Sequence, residues 1–357
     1  MRKITALALS AMLCLSLFAG CAAAPVTEPT VPSNPSASAP QVQPTVTTPT
    51  TPEPPVEEPA MPDVVRIAAL KGPTAMGLVK LMEDAEDGLT MNSYEFSLDV
   101  IDKIVPLISK GEVDIAAVPA NLAAVLNKNT DGEVLVLAIN TLGVLYVVEK
   151  GDTIQSIADL KDKTVFSSGK GAVPEYSFNY ILAQNGLNPD ADLTVEYKSE
   201  HAETIPLLVQ GEGGIAVMPQ PFVTVAMDKV EGLRIALDLT EEWSKASDGD
   251  SSMVTGVMVV RKAFAQKYPH AVAAFLEEYA ASTQFAATDV AKTAELVGKQ
   301  GIVEAAVAEQ AIPYCNITYI AGADMKAQLE GYLQVLFEQN PQSVGGVMPG
   351  EDFYYIP

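Results

Sequence analysis

Two Lys-Gly pairs, Lys71-Gly72 and Lys170-Gly171, stand beside the hydroxyl groups of Thr74 and Ser168. Such a set suits a small acid, because an ammonium supplies charge and backbone N–H groups at a helix start supply donors aligned with the helix dipole. The same residues have a plainer reading as solvated lysines and as Thr and Ser that cap helices or close turns. A second set, Tyr146, Tyr176, Phe222 and Trp243, with the neutral Gln220 beside it, suits a planar heteroaromatic instead. A buried anion needs compensating charge or several donors, whereas a ring needs a flat apolar slot. The sequence leans toward the anion. Bidentate carboxylate recognition is not assured, since Arg66 sits before the first loop and Arg234 and Arg261 lie at strand ends.

Signs of catalysis are thin. The chain has no Gly-x-Ser-x-Gly, no His-Glu-x-x-His, no Walker loop and no paired Cys. Ser168-Gly169-Lys170-Gly171 approaches a phosphate loop, but its glycines are wrongly spaced. Cys315, beside Tyr314, reads as a small core residue, and neither His201 nor His270 shares a motif with it. We therefore expect no catalytic residue, no metal ligand and no cofactor.

The elements that must position these loops are marked by a duplication. Lys110-Gly111-Glu112-Val113-Asp114-Ile115-Ala116-Ala117-Val118-Pro119-Ala120-Asn121 returns as Gln210-Gly211-Glu212-Gly213-Gly214-Ile215-Ala216-Val217-Met218-Pro219-Gln220-Pro221. Each copy reads as the end of an apolar-periodic helix, a tight turn, a strand buried on both faces and a loop into the next helix. Two such units imply two α/β lobes, and ligands of open α/β sheets bind outside the carboxyl ends of the strands. Pro119 and Pro219 thus become facing walls of one cleft. Lys71-Gly72 and Lys170-Gly171 deepen the repeat, since each follows a lobe's first strand and precedes its first helix.

Two long β stretches, Asn140 to Val148 and Ser252 to Val260, read as chain crossings between the lobes. The expected organisation is lobe one over 63–142 and 256–357, and lobe two over 143–255. Glu241 to Asp250, around Trp243, reads as a polar loop. Everything after the second crossing reads as helix. Within it, Val272, Phe275, Leu276, Tyr279 and Thr283 form one core face, and Leu329, Tyr332, Leu333, Leu336 and Phe337 another.

Upstream, Arg2-Lys3 and the apolar run Ile4 to Phe18 precede Phe18-Ala19-Gly20-Cys21, the pattern of a secretory signal over 1–20. The apolar run falls short of the ~20 residues a spanning helix needs. Residues 21–62, rich in Pro, Thr, Ser, Val and Ala, read as an extended tether. The formal net charge of −23 argues against a nucleic-acid partner and against charge-driven binding to anionic lipid.

The cleavage site resembles that of a bacterial lipoprotein, with Cys21 as the lipidated residue, although Phe18 stands where Leu is usual. With the Lys-Gly loop, Ile157-Ala158-Asp159-Leu160-Lys161-Asp162-Lys163, Ser167-Ser168-Gly169-Lys170-Gly171 and Met218-Pro219-Gln220-Pro221-Phe222, the chain resembles the ABC-importer substrate-binding lipoproteins of the nitrate/sulfonate/taurine group, which includes thiamine-precursor binders. The resemblance covers about Asp63 to Lys326. It implies an α/β, two-lobed type II periplasmic-binding-protein fold with two hinge crossings and a helical C-terminal region packed on lobe one. It implies a monomer tethered at the outer face of the cell membrane that captures a small solute and passes it to an ABC permease with its ATPase. Carried over, the ligand-facing positions would be Gly72, Pro73, Thr74, Ala75, Met76, Pro119, Ala120, Asn121, Thr141, Leu142, Ser168, Gly169, Lys170, Gly171, Ala172, Val173, Pro219, Gln220, Pro221 and Thr255. The turn that is often Pro-Glu-Pro in the group is Pro219-Gln220-Pro221 here. Enzymes occur on related folds, so a small-molecule lyase or synthase is the alternative of another class.

Overall fold

The structure is a computed structural model that describes residues 60–210, 214–249 and 251–356. The expected signal, the tether up to residue 59, Cys21, the Gly211-Glu212-Gly213 turn of the second repeat and Asp250 lie outside the described residues.

The chain opens with β1 (Val65–Leu70), α1 (Pro73–Met76), α2 (Val79–Glu86), β2 (Tyr94–Asp99), α3 (Ile101–Lys110), β3 (Ile115–Pro119), α4 (Ala120–Asn129) and β4 (Val134–Leu142). It continues through β5 (Leu145–Lys150), β6 (Thr164–Ser168), α5 (Val173–Gln184), β7 (Thr194–Lys198), α6 (Ile205–Gln210), β8 (Ile215–Pro219), α7 (Phe222–Lys229), β9 (Leu233–Asp238) and α8 (Leu239–Ala246). The rest is β10 (Val254–Arg261), α9 (Lys262–Lys267), α10 (Pro269–Thr288), α11 (Val290–Lys299), α12 (Ala305–Ala311), β11 (Ile317–Ala321) and α13 (Gly322–Gln339).

These strands form two sheets. The first has the order β11-β4-β10-β3-β1-β2 and the second β7-β6-β8-β5-β9. The duplicated segments supply the matching strands β3 and β8. Each runs parallel to one neighbour, β1 or β6, and antiparallel to a strand on its other side, β10 or β5. Both are apolar and buried apart from the closing proline, as a strand covered by helices on both faces requires. Gly111 ends α3 with φ 75°, the left-handed conformation that glycine adopts without a Cβ penalty and that lets the chain turn straight into β3.

The chain leaves the first sheet after β4, enters the second at β5, and returns along β10. The two connections touch: a Cβ on Gly143 would lie 2.2 Å from Met253 Cε and 2.3 Å from Thr240 Oγ1, so any larger residue there displaces both side chains.

The C-terminal region is not wholly helical. Ile317–Ala321 pairs as an edge strand with β4, consistent with its β-branched and aromatic run. The segment around Trp243 likewise departs from the expected polar loop. Helix α8 begins where the Asp238 side chain accepts from the Thr240 N–H at 2.8 Å, and it buries Leu239 and Trp243 at i, i+4 spacing. Its polar residues are the solvated face. The core faces of α10 and α13 are buried as their spacing predicts, with Phe337 half-buried. Cys315 is free and buried, and burial pushes its thiol up to about 12.

Candidate functional site

A cavity of about 320 Å³ lies where the carboxyl ends of strands from both sheets meet. On the first sheet's side it is walled by Leu70 at the end of β1, by Gly72, Pro73 and Thr74 at the start of α1, by Pro119 at the end of β3, and by Thr255. On the second sheet's side it is walled by Val144 and Leu145, by Val173 and Pro174 at the start of α5, by His201, and by Pro219, Gln220, Pro221 and Phe222. Met253 and, from α13, Tyr332 complete it. Among the described residues the lining contains no Asp, Glu, Lys or Arg, although the chain carries a net charge of −23.

Three helices of at least two turns aim their first turns at this space. The N-cap residues of α4, α5 and α7 are Pro119, Ala172 and Pro221, none of which caps with its side chain, although Pro174 in the first turn of α5 has no N–H and the Thr224 N–H of α7 is accepted by Gln220 Oε1. Unpaired N–H groups in a helix's first turn, with the positive end of the dipole behind them, hold an anion or a carbonyl well.

Gln220 is buried at 2% exposure. Its Oε1 accepts from Thr224 Oγ1 at 2.9 Å and from the Thr224 N–H at 3.3 Å. Those two donors fix which end of the amide is oxygen, and Nε2 is left with no partner among the described residues, on a side chain that lines the cavity. His201 opens a short 3-10 turn, His201–Thr204, that follows β7. Its Nδ1 contacts Ser168 Oγ, and its ring packs on that of Phe222 with centroids 5.0 Å apart. Ser168 is buried and its hydroxyl has no other acceptor among the described residues; with that hydroxyl assigned as donor to Nδ1, the imidazole proton is on Nε2. Burial holds the His201 pKa below its ordinary value, with Glu200 opposing, which favours the neutral ring, and in the assigned tautomer that ring keeps its N–H on Nε2.

Of the positions singled out in the sequence, the cavity brings together Gly72, Pro73, Thr74, Pro119, Val173, Pro219, Gln220, Pro221, Phe222 and Thr255. The others stand elsewhere. Lys71 is exposed and its Nζ donates to the Gly301 carbonyl at 3.2 Å. Lys170 lies over the Tyr197 ring, 5.8 Å from its centroid. Ala75, Met76 and Ala120 are buried in their helices, and Asn121 Nδ2 donates to the Ser343 carbonyl at 3.0 Å. Thr141 and Leu142 belong to β4, with Thr141 fully buried. Gly169, Gly171 and Ala172 shape the approach to α5 behind Ser168, both glycines at positive φ. Tyr146 donates its hydroxyl to the Tyr314 carbonyl at 2.7 Å and is buried. Trp243 is fully buried beneath the cavity wall, its indole N–H donating to Ser251 Oγ at 2.9 Å. It packs between Tyr180 and Tyr332 because α8 is a helix, and it does not line the space.

The arginines are engaged within the fold. Arg234 pairs with the fully buried Glu149 at 2.7 Å, and Arg261 with Asp114 at 2.7 Å, while Arg66 lies 3.9 Å from Asp114. Arg261 also borders an open depression of about 520 Å³ with Lys110, Asp131 and Glu133, at the opposite ends of β3, β4 and β10. Its charges of both signs thus lie across the sheet from the helix starts.

Sequence reasoning missed Leu70, Val144, Leu145, Pro174, His201, Met253 and Tyr332. His201 had one usable signal, its place between a β run and the apolar-periodic helix that opens the second repeat. Among the described residues there is no group of His, Cys, Asp and Glu that could hold a metal, and no helix is long and apolar enough to cross a membrane.

Residues 95–310 match the model of a family described as "ABC transporter, phosphonate, periplasmic substrate-binding protein". No curated protein matches the chain. Among solved structures, an ABC transporter protein from Parabacteroides distasonis is similar with TM-score 0.69 at 23% identity, covering 83% of this chain and 99% of that one. The periplasmic aliphatic sulphonate binding protein SsuA from Escherichia coli follows with 0.65 at 17%, covering 83% and 93%. The alkanesulfonate-binding protein SsuA from Xanthomonas axonopodis pv. citri, bound to MOPS, gives 0.57 at 15%, covering 82% and 96%. At these identities the likeness is one of fold.

Proposed function

The chain belongs to the family of periplasmic substrate-binding proteins of ABC transporters whose model it matches over 95–310, and on that premise we propose that it captures a small organic anion, such as a sulfonate, by lobe closure. It then delivers that solute to a membrane permease. The observation that carries this reading is the convergence of the α4, α5 and α7 first turns on an apolar cavity free of carboxylates among the described residues. The acid head sits at those helix starts, where oriented N–H groups and His201 Nε2–H and Gln220 Nε2 replace its water. The apolar remainder of the solute packs on the proline, leucine and valine walls. Two of the fold relatives are named for sulfonate binding, which supports the choice of head group.

Lipidation at Cys21 and the Pro/Thr-rich tether would keep the monomeric folded part at the outer face of the cell membrane, within reach of the permease. No step of this function makes or breaks a bond, so the protein is not an enzyme.

Native mass spectrometry of the purified protein, followed by calorimetry with straight-chain alkanesulfonates, tests the reading. We expect a co-purifying acid and micromolar or tighter binding. The rings of Phe222, His201 and Tyr332 in the wall favour a planar heteroaromatic as the competing ligand. Co-purification of such a compound, with no heat from the sulfonates, would replace the anion. Turnover of any bound compound, followed by mass spectrometry, would replace the binding function itself.

A further inference from the structure

Besides the Tyr146 to Tyr314 hydrogen bond, a seam of aromatic and polar contacts joins the two halves of the molecule at the cavity's edge, and the proposed capture by lobe closure leaves open what holds it together. Helix α13 packs on β4, β10, β11 and α4, and so belongs with the first sheet, whereas α8 packs on β5 and β9 of the second sheet and on α5. Between them, the fully buried Tyr332 of α13 places its ring 5.2 Å from that of Trp243 in α8, and Trp243 lies 4.5 Å from Tyr180 in α5. Tyr332 Oη and Ser177 Oγ in α5 are 3.3 Å apart. At the surface end of the same seam, Gln339 Nε2 donates to the Tyr176 carbonyl and Asn340 Nδ2 to the Tyr176 hydroxyl, each at 2.7 Å.

We propose that these residues form a clasp that holds the two lobes shut, with Tyr332 as its positioning residue. Among the described residues, Tyr332 is the only one of α13 in the cavity wall. The same side chain therefore closes the cavity on one edge and covers Trp243 on the other. When the lobes part about the Gly143 and Met253 connections, Tyr332 withdraws from both at once, and the cavity and the indole gain water together. The polar end of the clasp sets how readily this happens. Its hydrogen bonds are made by side chains at the surface, and each contributes only a modest net free energy.

Trp243 is the sole tryptophan of the chain, so its emission reports this one place. In the full-length protein, Gln339→Ala and Asn340→Ala combined remove the two surface hydrogen bonds to Tyr176, together with the cap that Asn340 Oδ1 gives the Gln342 N–H at 3.0 Å. Tyr332→Leu keeps apolar bulk while removing the ring contact and the Ser177 hydrogen bond. For both we expect a shift of emission to longer wavelength, acrylamide quenching raised at least about twofold, and a larger radius of gyration by small-angle scattering. Far-UV ellipticity should stay at the wild-type value. Emission, quenching and radius all unchanged in the surface double variant would overturn the clasp. So would a rise in quenching matched by loss of ellipticity in that variant, because the contacts would then be plain core packing. None of these readouts uses a ligand, so failure of the sulfonate titrations leaves them untouched.

Discussion

The two walls of the cavity are built on the same strand plan and carry different chemistry. In the first, Leu70, Pro73 and Pro119 are apolar, and the one hydroxyl at a helix start, that of Thr74, donates at 3.0 Å to the Leu70 carbonyl. In the second, His201 and Gln220 are each held from behind, by Ser168 and by Thr224, and each keeps a donor for the cavity. The strands β3 and β8 copy one another closely, because a strand covered on both faces is constrained by packing. The loop after each strand faces open space and is free to diverge. Duplication thus reproduced the scaffold, and of the two copied segments only the second places a side-chain donor, Gln220, in the cavity wall; His201 and, on the first wall, Thr255 come from outside the copied segments.

The largest effects should come from breaking that second wall. Gln220→Leu and His201→Phe each keep shape while removing one donor, and a hydrogen bond to a charged group contributes about 1.5–3 kcal/mol. We expect each to weaken alkanesulfonate binding by roughly ten- to a hundredfold in calorimetry. Losses below threefold in both would mean that the helix starts alone hold the head group, and the contrast between the walls would vanish.

A pH series gives a smaller and more diagnostic effect. His201 is held below its ordinary pKa of 6.5 by burial, so the unfolded chain takes up the proton first as pH falls. Its contribution to the stability of the empty protein is fully present above about pH 6.5 and is lost as pH falls through the folded-state value. Bound sulfonate stays ionised over this range and favours imidazolium, so its affinity should rise severalfold over the same interval. His201→Phe should flatten both curves, in thermal melts and in calorimetry. A wild-type affinity that falls with pH would place the ring away from the charge.

How much of this was legible in the sequence follows from how local each signal was. The duplicated Ile-Ala strands, the turn at Gly111 and the closing prolines could be read because burial on both faces leaves few residue choices. Gln220 and the helix starts after Pro119 and Pro219 followed from the same alignment, and Thr74 from the loop that follows the first strand. The helix around Trp243 was hidden because its solvated face dominates the composition and only Leu239 and Trp243 turn inward. The edge strand Ile317–Ala321 sits between helices and is recruited by pairing with β4 across a long sequence separation. His201 has no motif at all, and its role arises only when Ser168 and Phe222 arrive beside it from elsewhere in the chain.

On the first wall, Thr74→Val sharpens the contrast further. Its hydroxyl already has an acceptor, and the valine keeps the volume and the cavity-facing methyl groups. We expect less than about a threefold change in alkanesulfonate affinity and a loss of stability near 1 kcal/mol, the usual net value of one internal hydrogen bond. A tenfold loss of affinity would show that the hydroxyl turns to the ligand on closure, and would give the first wall a donor of its own.

The smallest expected effect belongs to the residues that looked most chemical, Lys71 and Lys170. Each has a partner outside the cavity: a carbonyl at Gly301 for the first, the face of Tyr197 for the second. Their charges can reach a bound anion only through solvent, where screening acts over about 10 Å at 0.1 M salt. Lys71→Ala and Lys170→Ala should therefore leave affinity within about twofold at 0.1 M salt. Stability should stay within about 0.5 kcal/mol, as for most surface substitutions. Repeating the titrations at 0.01 M salt, where the screening length grows to about 30 Å, separates two ways of failing. A loss seen only at low salt is a long-range field and leaves the contrast between the walls intact. A tenfold loss for Lys71→Ala that persists at 0.1 M would mean that its ammonium leaves Gly301 for the ligand. The first wall would then carry the charge while the second carries the neutral donors.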